Sequence, residues 1–369
     1  MLKNKGLMAM IALCVVAALC CAFYAGRLSI DRRADAFPPS AVPEPATEAT
    51  EAPRPKLPLY TEDNLPYAYD PQRDEPSLPS EAAIESVVET QLSMARAANP
   101  DKYDEEKLSK YFREQIDIGA ESYMPTIQSF PVEGSRSAVI VFPGGGYHML
   151  SKTVEGTEIA KAFNARGITA FVVRYRIAPC DYRAILADGQ RAVRYVRAHA
   201  GKYGVDPDRI AACGFSQGGH LALMTCQHPE FTVDDPSYRP DEVDALSSVP
   251  NACIVCYGVA TLEKGHTFEV GAEIFTHGDE GMRAEYSAEN GVTGDMCPTF
   301  VWLNADDLLV PVEGAYRLAD ALAAQGVPYA FHVFGEGGHG CGLGGDLPCG
   351  AWMSLACDWM DRVLQRPAD

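Results

Sequence analysis

From Thr126 onward, short apolar runs alternate with longer segments in which apolar residues recur every three or four positions. Period two or an unbroken apolar run marks a strand; a recurrence near 3.6 marks a helix. The runs Ala138–Phe142, Ile168–Val173, Arg209–Cys213, Ala252–Tyr257, Thr299–Leu303 and Tyr329–Phe334 predict strands. Thr153–Arg166, Tyr182–Ala200, Pro311–Gln325 and Ala351–Leu364 predict helices. Strands that are apolar throughout have no face to give to water. Alternating with helices, they require a mostly parallel sheet with helices on both faces, an α/β architecture.

The pattern upstream is different. Lys3 and Lys5 precede an apolar run, Leu7–Ala25, about long enough to cross a bilayer as a helix. A basic start and an apolar run read as a secretory signal or a membrane anchor. Cys20, Phe23 and Tyr24 spoil the small-residue frames that cleavage needs, which favours an uncleaved anchor. Residues 31–58 are rich in Pro, Glu, Ala and Thr and read as an extended spacer. Residues 59–125 read as a helical extension, with Ser80 capping a helix over Glu81–Ala98 and a second helix over Tyr103–Ile118. The expected division is therefore an anchor or signal at 1–30, a linker at 31–58, a helical extension at 59–125 and an α/β domain at 126–369.

Charge narrows the partners. The chain of 369 residues carries a formal net charge of −19. Such a surface disfavours nucleic acid and anionic membrane as partners, leaving the N-terminal apolar segment as the expected membrane contact. Asp234, Asp235, Asp241, Glu242 and Asp244 read as a solvated acidic face. Of the 12 cysteines, Cys253 and Cys256 form a Cys-x-x-Cys. It lies inside an apolar run, and no second Cys or His pair stands at metal-ligand spacing, so a buried strand is the expectation.

The candidate chemistry centres on Gly214-Phe215-Ser216-Gln217-Gly218, between the run ending at Cys213 and the helical residues Leu221–Met224. A serine at the apex of a tight strand-to-helix turn, with glycine on both sides, is a nucleophile elbow. A serine hydroxyl is a poor nucleophile at neutral pH and needs a base, which in turn needs an orienting acid. His339 follows the final strand in Gly337-Gly338-His339-Gly340, where open α/β sheets place their active groups. His220 sits on the helix after the serine and points away from the attack face; His332 lies within a strand; His266 and His277 fall in a polar insert. For the acid, Asp306 and Asp307 both follow Thr299–Leu303, and the spacing to Val310-Pro311 favours Asp307. The three glycines of the Pro143-Gly144-Gly145-Gly146-Tyr147 loop follow a strand and expose backbone N–H groups, so this loop and the backbone N–H of Gln217 are the expected source of oxyanion donors. A phosphate-cradling role for that loop lacks the Lys-Ser or Lys-Thr it would require.

Taken together, Pro143-Gly144-Gly145-Gly146-Tyr147, Glu155-Gly156, Val173-Arg174-Tyr175-Arg176, the elbow through His220, Asp307–Pro311 and Gly337-Gly338-His339-Gly340 resemble the α/β-hydrolase superfamily. Within it they are similar to the acetyl esterase, acetyl xylan esterase and feruloyl-esterase-like group, although many relatives have histidine where Pro143 stands. The resemblance implies Ser216 as nucleophile, Asp307 as orienting acid and His339 as base, with Gly144, Gly145 and Gln217 as oxyanion donors. It implies no metal or organic cofactor, and a short acyl ester, acetyl above all, of a sugar or polysaccharide as substrate. Feruloyl or other carboxylic esters, thioesters or peptides are alternatives on the same geometry, and an inactive binding scaffold is the alternative of another class. The N-terminal pattern adds an extracytoplasmic, anchored or secreted location as an expectation. Tyr147, His148, Phe215, Cys341 and Leu343 are open between acyl pocket and packing, and residues 229–250 and 258–296 are expected as cap-like excursions.

Overall fold

The computed structural model describes residues 55–69, 105, 106, 109, 113, 116, 117 and 124–365. The chain divides by its contacts into two units, one of residues 51–78 and 115–369, the other of residues 1–50 and 79–114. In the second unit the described residues 105, 106, 109 and 113 are helical. The apolar run Leu7–Ala25 and the helix expected over Glu81–Ala98 lie outside the described residues. Among the described residues no helix is long and apolar enough to cross a membrane.

The described strands are β1 (Leu57–Pro58), β2 (Ile116–Asp117), β3 (Thr126–Phe130), β4 (Ala138–Phe142), β5 (Leu150–Ser151), β6 (Thr169–Arg174), β7 (Ile210–Phe215), β8 (Ala252–Cys256), β9 (Thr299–Asn304) and β10 (Tyr329–Phe334). Eight of them form one sheet in the order β1-β3-β6-β4-β7-β8-β9-β10, and β2 pairs with β5 in a second. Strands β6, β4, β7, β8, β9 and β10 run parallel, and β3 is antiparallel to β6. The helices are α1 (Glu158–Ala165), α2 (Tyr182–Ala198), α3 (Ala200–Tyr203), α4 (Gln217–Gln227), α5 (Glu269–Thr276), α6 (Glu280–Glu285), α7 (Glu313–Ala324) and α8 (Trp352–Leu364). Parallel neighbours need a crossover connection, and helices supply it between most of these strands.

The central strands β4, β7, β8 and β9 are buried along their whole length because both faces of the sheet are covered there. On β4, Ala138, Ile140 and Phe142 enter one core with Ile185 and Leu186 of α2, Leu221 of α4 and Leu318 of α7. Val139 and Val141 enter the other with Ile159 and Phe163 of α1 and Trp352 and Met360 of α8. The same alternation separates Cys253 from Cys256 on β8: they lie in opposite cores. Residues i and i+3 of a strand face opposite ways, so this Cys-x-x-Cys cannot chelate one metal or close on itself. All nine described cysteines are free.

Two expectations about the periphery are corrected, and a third is extended. Leu57 and Pro58, read as the end of a linker, pair antiparallel with Ile127 and Thr126. The helix expected to reach Ile118 gives way to a strand at Ile116–Asp117. The acidic face of the 229–250 stretch is solvent-exposed at Asp234, Asp241 and Glu242, as expected, and it also fastens the stretch to its neighbours. Asp241 and Asp244 engage Arg191 of α2, whose side chain is buried, and Asp235 accepts the Tyr67 N–H at 2.5 Å. Arg191 holds the Asp241 carboxyl below its usual range. Further arginines on α2 grip the same stretch through carbonyls: Arg194 reaches Leu246 at 3.0 Å and Arg197 reaches Val249 at 2.9 Å. The excursion is thereby bound to α2 and the 57–67 segment. Charge patterning on the sequence cannot show this, because the arginines lie on another element.

Candidate active site

Strand β7 delivers Ser216 at the apex of its turn into α4. The serine takes φ 50° and ψ −122°, a conformation that non-glycine residues rarely adopt. The turn is closed so tightly that a Cβ on Gly214 would lie 2.1 Å from the Gly218 carbonyl oxygen, and one on Gly218 the same distance from that of Phe142. Both glycines of the motif are therefore sterically required. The turn is also tied to β8, since the Ser216 N–H donates to the Cys256 carbonyl at 3.0 Å.

His339 meets this serine from the loop after β10. Its Nε2 lies 2.8 Å from Ser216 Oγ, and its Nδ1 lies 2.7 Å from Asp307 Oδ2. A carboxylate only accepts, so Nδ1 carries the proton and Nε2 is left to accept from the serine hydroxyl. The second oxygen of Asp307 accepts the N–H groups of Leu309 and Val310 at 2.9 and 3.0 Å, which fixes the carboxylate. Asp306, the other candidate, accepts the Gly338 N–H at 2.7 Å. The adjacent carboxylates thus divide the work: one faces the imidazole and the other pins its loop. Asn304 adds a bond to the Gly338 carbonyl at 2.7 Å.

Burial alone would lower the pKa of His339. The Asp307 carboxylate beside it, with Glu155 beyond, outweighs that effect and holds the imidazole above its ordinary 6.5. The set Ser216–His339–Asp307 can therefore transfer the serine proton to Nε2 and stabilise the imidazolium that results.

The glycine-rich loop departs from expectation at one position. The Gly144 N–H donates to Glu155 Oε2 at 2.9 Å, so this amide is already occupied and Gly144 is not a free oxyanion donor. Its position still abuts the site, because a Cβ there would lie 2.8 Å from Ser216 Cβ. The N–H groups of Gly145 and Gln217 have no partner among the described residues, nor has that of Gly146, which the motif alone does not single out. Gln217 opens α4, where the first amides of a helix have no intrahelical acceptor.

The roles of two further residues of the site are not apparent from the sequence. Glu155, in a π-helical turn at Thr153–Thr157, is 4% exposed. Burial holds its carboxyl above the usual range, opposed by the Tyr257 hydroxyl, His339 and the Gly144 N–H. Tyr257, just after β8, donates to Glu155 Oε1 at 2.8 Å and accepts the Gly342 N–H at 3.0 Å. It has a φ of 37°, which no propensity reveals. The run of small and polar residues around Glu155 holds one usable signal, the Glu155-Gly156 block itself.

The remaining histidines and aromatics fall into place. His220 is fully buried; its Nε2 donates to the Tyr286 carbonyl at 2.9 Å, so its Nδ1 accepts from Tyr147 Oη at 2.7 Å. Burial brings its pKa down to about 4, and it stays neutral as a strut between the glycine loop and the 258–296 excursion. That excursion contains α5 and α6 and packs on the loop through Phe275, stacked on Tyr147 with centroids 5.3 Å apart. Tyr147 and Phe215 are fully buried and so serve packing. Cys341 lies 3.6 Å from Cys349, sulfur to sulfur, and Leu343 packs against the α8 core. His148 contacts the Gly146 carbonyl at 3.2 Å. Among the described residues no group of three or more His, Cys, Asp or Glu is arranged to hold a metal ion.

An eight-stranded, mostly parallel sheet with a serine at the β7 elbow and a histidine after the last strand defines an α/β-hydrolase. The BD-FAE family model matches residues 123–322, and the chain belongs to that family. It is 32% identical over 222 residues, 59% of this chain, to endo-1,4-beta-xylanase B of Butyrivibrio fibrisolvens. It is 30% identical over 221 residues, 58% of this chain, to an acetylxylan esterase of Xylanibacter ruminicola. The chain spans 34% and 43% of the lengths of these two relatives. Among solved structures, an acetyl ester-xyloside bifunctional hydrolase from Caldicellulosiruptor lactoaceticus is 34% identical, with a TM-score of 0.61. That match covers 66% of this chain and 90% of the other.

Proposed function

We propose that the protein is a serine ester hydrolase that removes acetyl or similarly short acyl groups from carbohydrate. The observation that carries the reading is the continuous chain Ser216 Oγ, His339 and Asp307, at 2.8 and 2.7 Å. His339 Nε2 takes the hydroxyl proton as Ser216 Oγ bonds to the ester carbonyl carbon. The N–H groups of Gly145, Gly146 and Gln217 receive the oxyanion. When the carbon–oxygen bond to the alcohol breaks, His339 returns the proton to the leaving oxygen. Water then attacks the acyl-serine, His339 takes its proton, and the acid is released as Ser216 Oγ recovers a proton. Asp307 keeps the imidazole in the productive tautomer throughout.

The acetylated carbohydrate is supported by the activities that name the acetylxylan esterase relative and the acetyl ester-xyloside neighbour. An extracytoplasmic location, suggested by the Lys3–Ala25 pattern, suits a polymeric substrate. The test is release of acetate from acetylated xylan and acetylated sugars, measured against feruloyl esters, longer-chain esters, thioesters and peptides. Acetyl release by the wild type, abolished in Ser216→Ala, is the expected result. Preference for any other substrate class would overturn the acetyl assignment, and no hydrolysis of any ester would overturn the enzyme reading.

A further inference from the structure

Glu155 is a buried carboxylate that the proposed reaction does not consume. One oxygen accepts the Gly144 N–H at 2.9 Å and the other accepts the Tyr257 hydroxyl at 2.8 Å. Tyr257 accepts in turn from Gly342, in the loop that carries His339, and its ring lies edge-on to the imidazole with centroids 5.0 Å apart. The carboxylate therefore bridges the glycine loop and the histidine loop, on opposite sides of Ser216 in the sequence.

We propose that Glu155 is a positioning residue. Its two oxygens hold the glycine loop and the histidine loop in register around Ser216, and its charge supports the protonated imidazole. This deepens the serine-hydrolase reading and rests on it. Burying a carboxylate is costly unless its charge is compensated, and an amide or an apolar side chain would serve packing alone. The compensation here is directed at the site. The titratable groups that sense Glu155 are His339, Tyr257 and Tyr175 beside β6, and Cys256 of β8. Burial pushes the tyrosine hydroxyls and the thiol up and keeps them neutral near neutral pH. The imidazole, faced also by Asp307, is the group that gains charge during turnover. With the Gly144 amide tied down, the amides that follow it are held at fixed places, and pre-set donors are what stabilise an oxyanion.

The two functions of Glu155 separate by substitution. A glutamine can turn its oxygen to the Gly144 N–H and its NH2 to the Tyr257 oxygen, which keeps the register and removes the charge. Alanine removes both. Steady-state hydrolysis of p-nitrophenyl acetate by the full chain, from about pH 5 to about pH 9, reads them out. Glu155→Ala is expected to lower kcat about 100-fold, the scale of a displacement near 1 Å in a catalytic group. Glu155→Gln is expected to keep plateau kcat within about tenfold while the acid limb of kcat/KM moves to lower pH. Tyr257→Phe keeps the carboxylate, so its acid limb does not follow that downward move. Near-UV circular dichroism establishes that each variant is folded; if Glu155→Ala is not, Glu155→Gln decides through its acid limb. Folded Glu155 variants with kcat within about twofold of wild type and an unmoved acid limb would reduce Glu155 to packing and sink the proposal. Ser216→Ala run alongside tells the two failures apart: undiminished activity in that variant sinks the serine reading itself.

Discussion

Asp188 and Glu155 are both buried carboxylates, 0% and 4% exposed, and they have opposite partners. Asp188 faces a guanidinium. Arg176 donates to it from Nε at 2.9 Å, from Nη2 at 2.7 Å and from its own backbone N–H at 2.8 Å. A further Arg176 nitrogen reaches the Pro66 carbonyl at 2.5 Å, so the pair fastens the 57–67 segment to the sheet domain. Burial by itself would lower Arg176, but Asp188 outweighs it and raises the guanidinium above its ordinary value. Glu155 faces a tyrosine hydroxyl, a backbone amide and an imidazole. A guanidinium keeps its own charge at any pH a protein meets, so it grips its partner without itself titrating. A histidine makes a site whose charge changes as it works. The fastening region should therefore control stability, and the serine region activity.

The largest expected effect lies in the serine region. Ser216→Ala removes the proposed nucleophile and should lower kcat by about 10⁵-fold or more, with the thermal midpoint little changed. A residual rate above about a hundredth of wild type in a p-nitrophenyl acetate assay would contradict the assigned role. In the fastening region, Asp188→Ala leaves Arg176 buried without its counter-charge. It should cost about 3–5 kcal/mol in urea unfolding, while the folded fraction keeps its kcat. A large fall in kcat at full folding would show that the two regions are not separate.

The pH dependence follows from the signs of the shifts. In the proposed reaction His339 must be neutral to accept a proton, and its value in the folded chain is raised by Asp307 and Glu155 against burial. The acid limb of kcat/KM should therefore lie above the ordinary 6.5 of histidine. The contribution of the same group to stability runs the other way. It is fully present below 6.5 and is lost as pH rises through the raised folded value. Activity and this share of stability should thus trade places across one window, observable as kcat/KM against chemical-denaturation profiles. A limb at or below 6.5 would mean that burial, not the carboxylates, dominates. The smallest effect belongs to the rim of the fastening region. Asp241 is 45% exposed at its side chain, so Asp241→Asn should cost under about 1 kcal/mol despite its two bonds to Arg191.

Much of this comparison is legible in the chain itself. Apolar runs mark β4 and β10 to the residue, although only β4 is covered on both faces and β10, at the sheet edge, leaves Tyr329 and Val333 exposed. Ser216 is legible because its elbow compresses a steric requirement into five consecutive residues. His339 and Asp307 are legible as loop residues after strands, and the spacing to Val310 separates Asp307 from Asp306. Gly144 misleads because counting glycines does not reveal that one amide is already taken. The roles of Glu155 and Tyr257 stay hidden because a carboxylate in a helical stretch and a tyrosine ending an apolar strand each have an ordinary local explanation. Their bond links positions 102 residues apart. The fastening contacts of the acidic 229–250 stretch stay hidden for the same reason, since its arginines lie on α2.

The sequence by itself determined what is local: the order of strands and helices, the elbow that strains Ser216, and the loops that carry the imidazole and its carboxylate. These follow from side-chain period and backbone sterics, which act over a few residues. Only the tertiary structure decided which amides remain free for an oxyanion, which carboxylate faces a guanidinium and which faces an imidazole. Hydrogen bonds and charges act through space, and their effect depends on burial and partners that folding alone supplies.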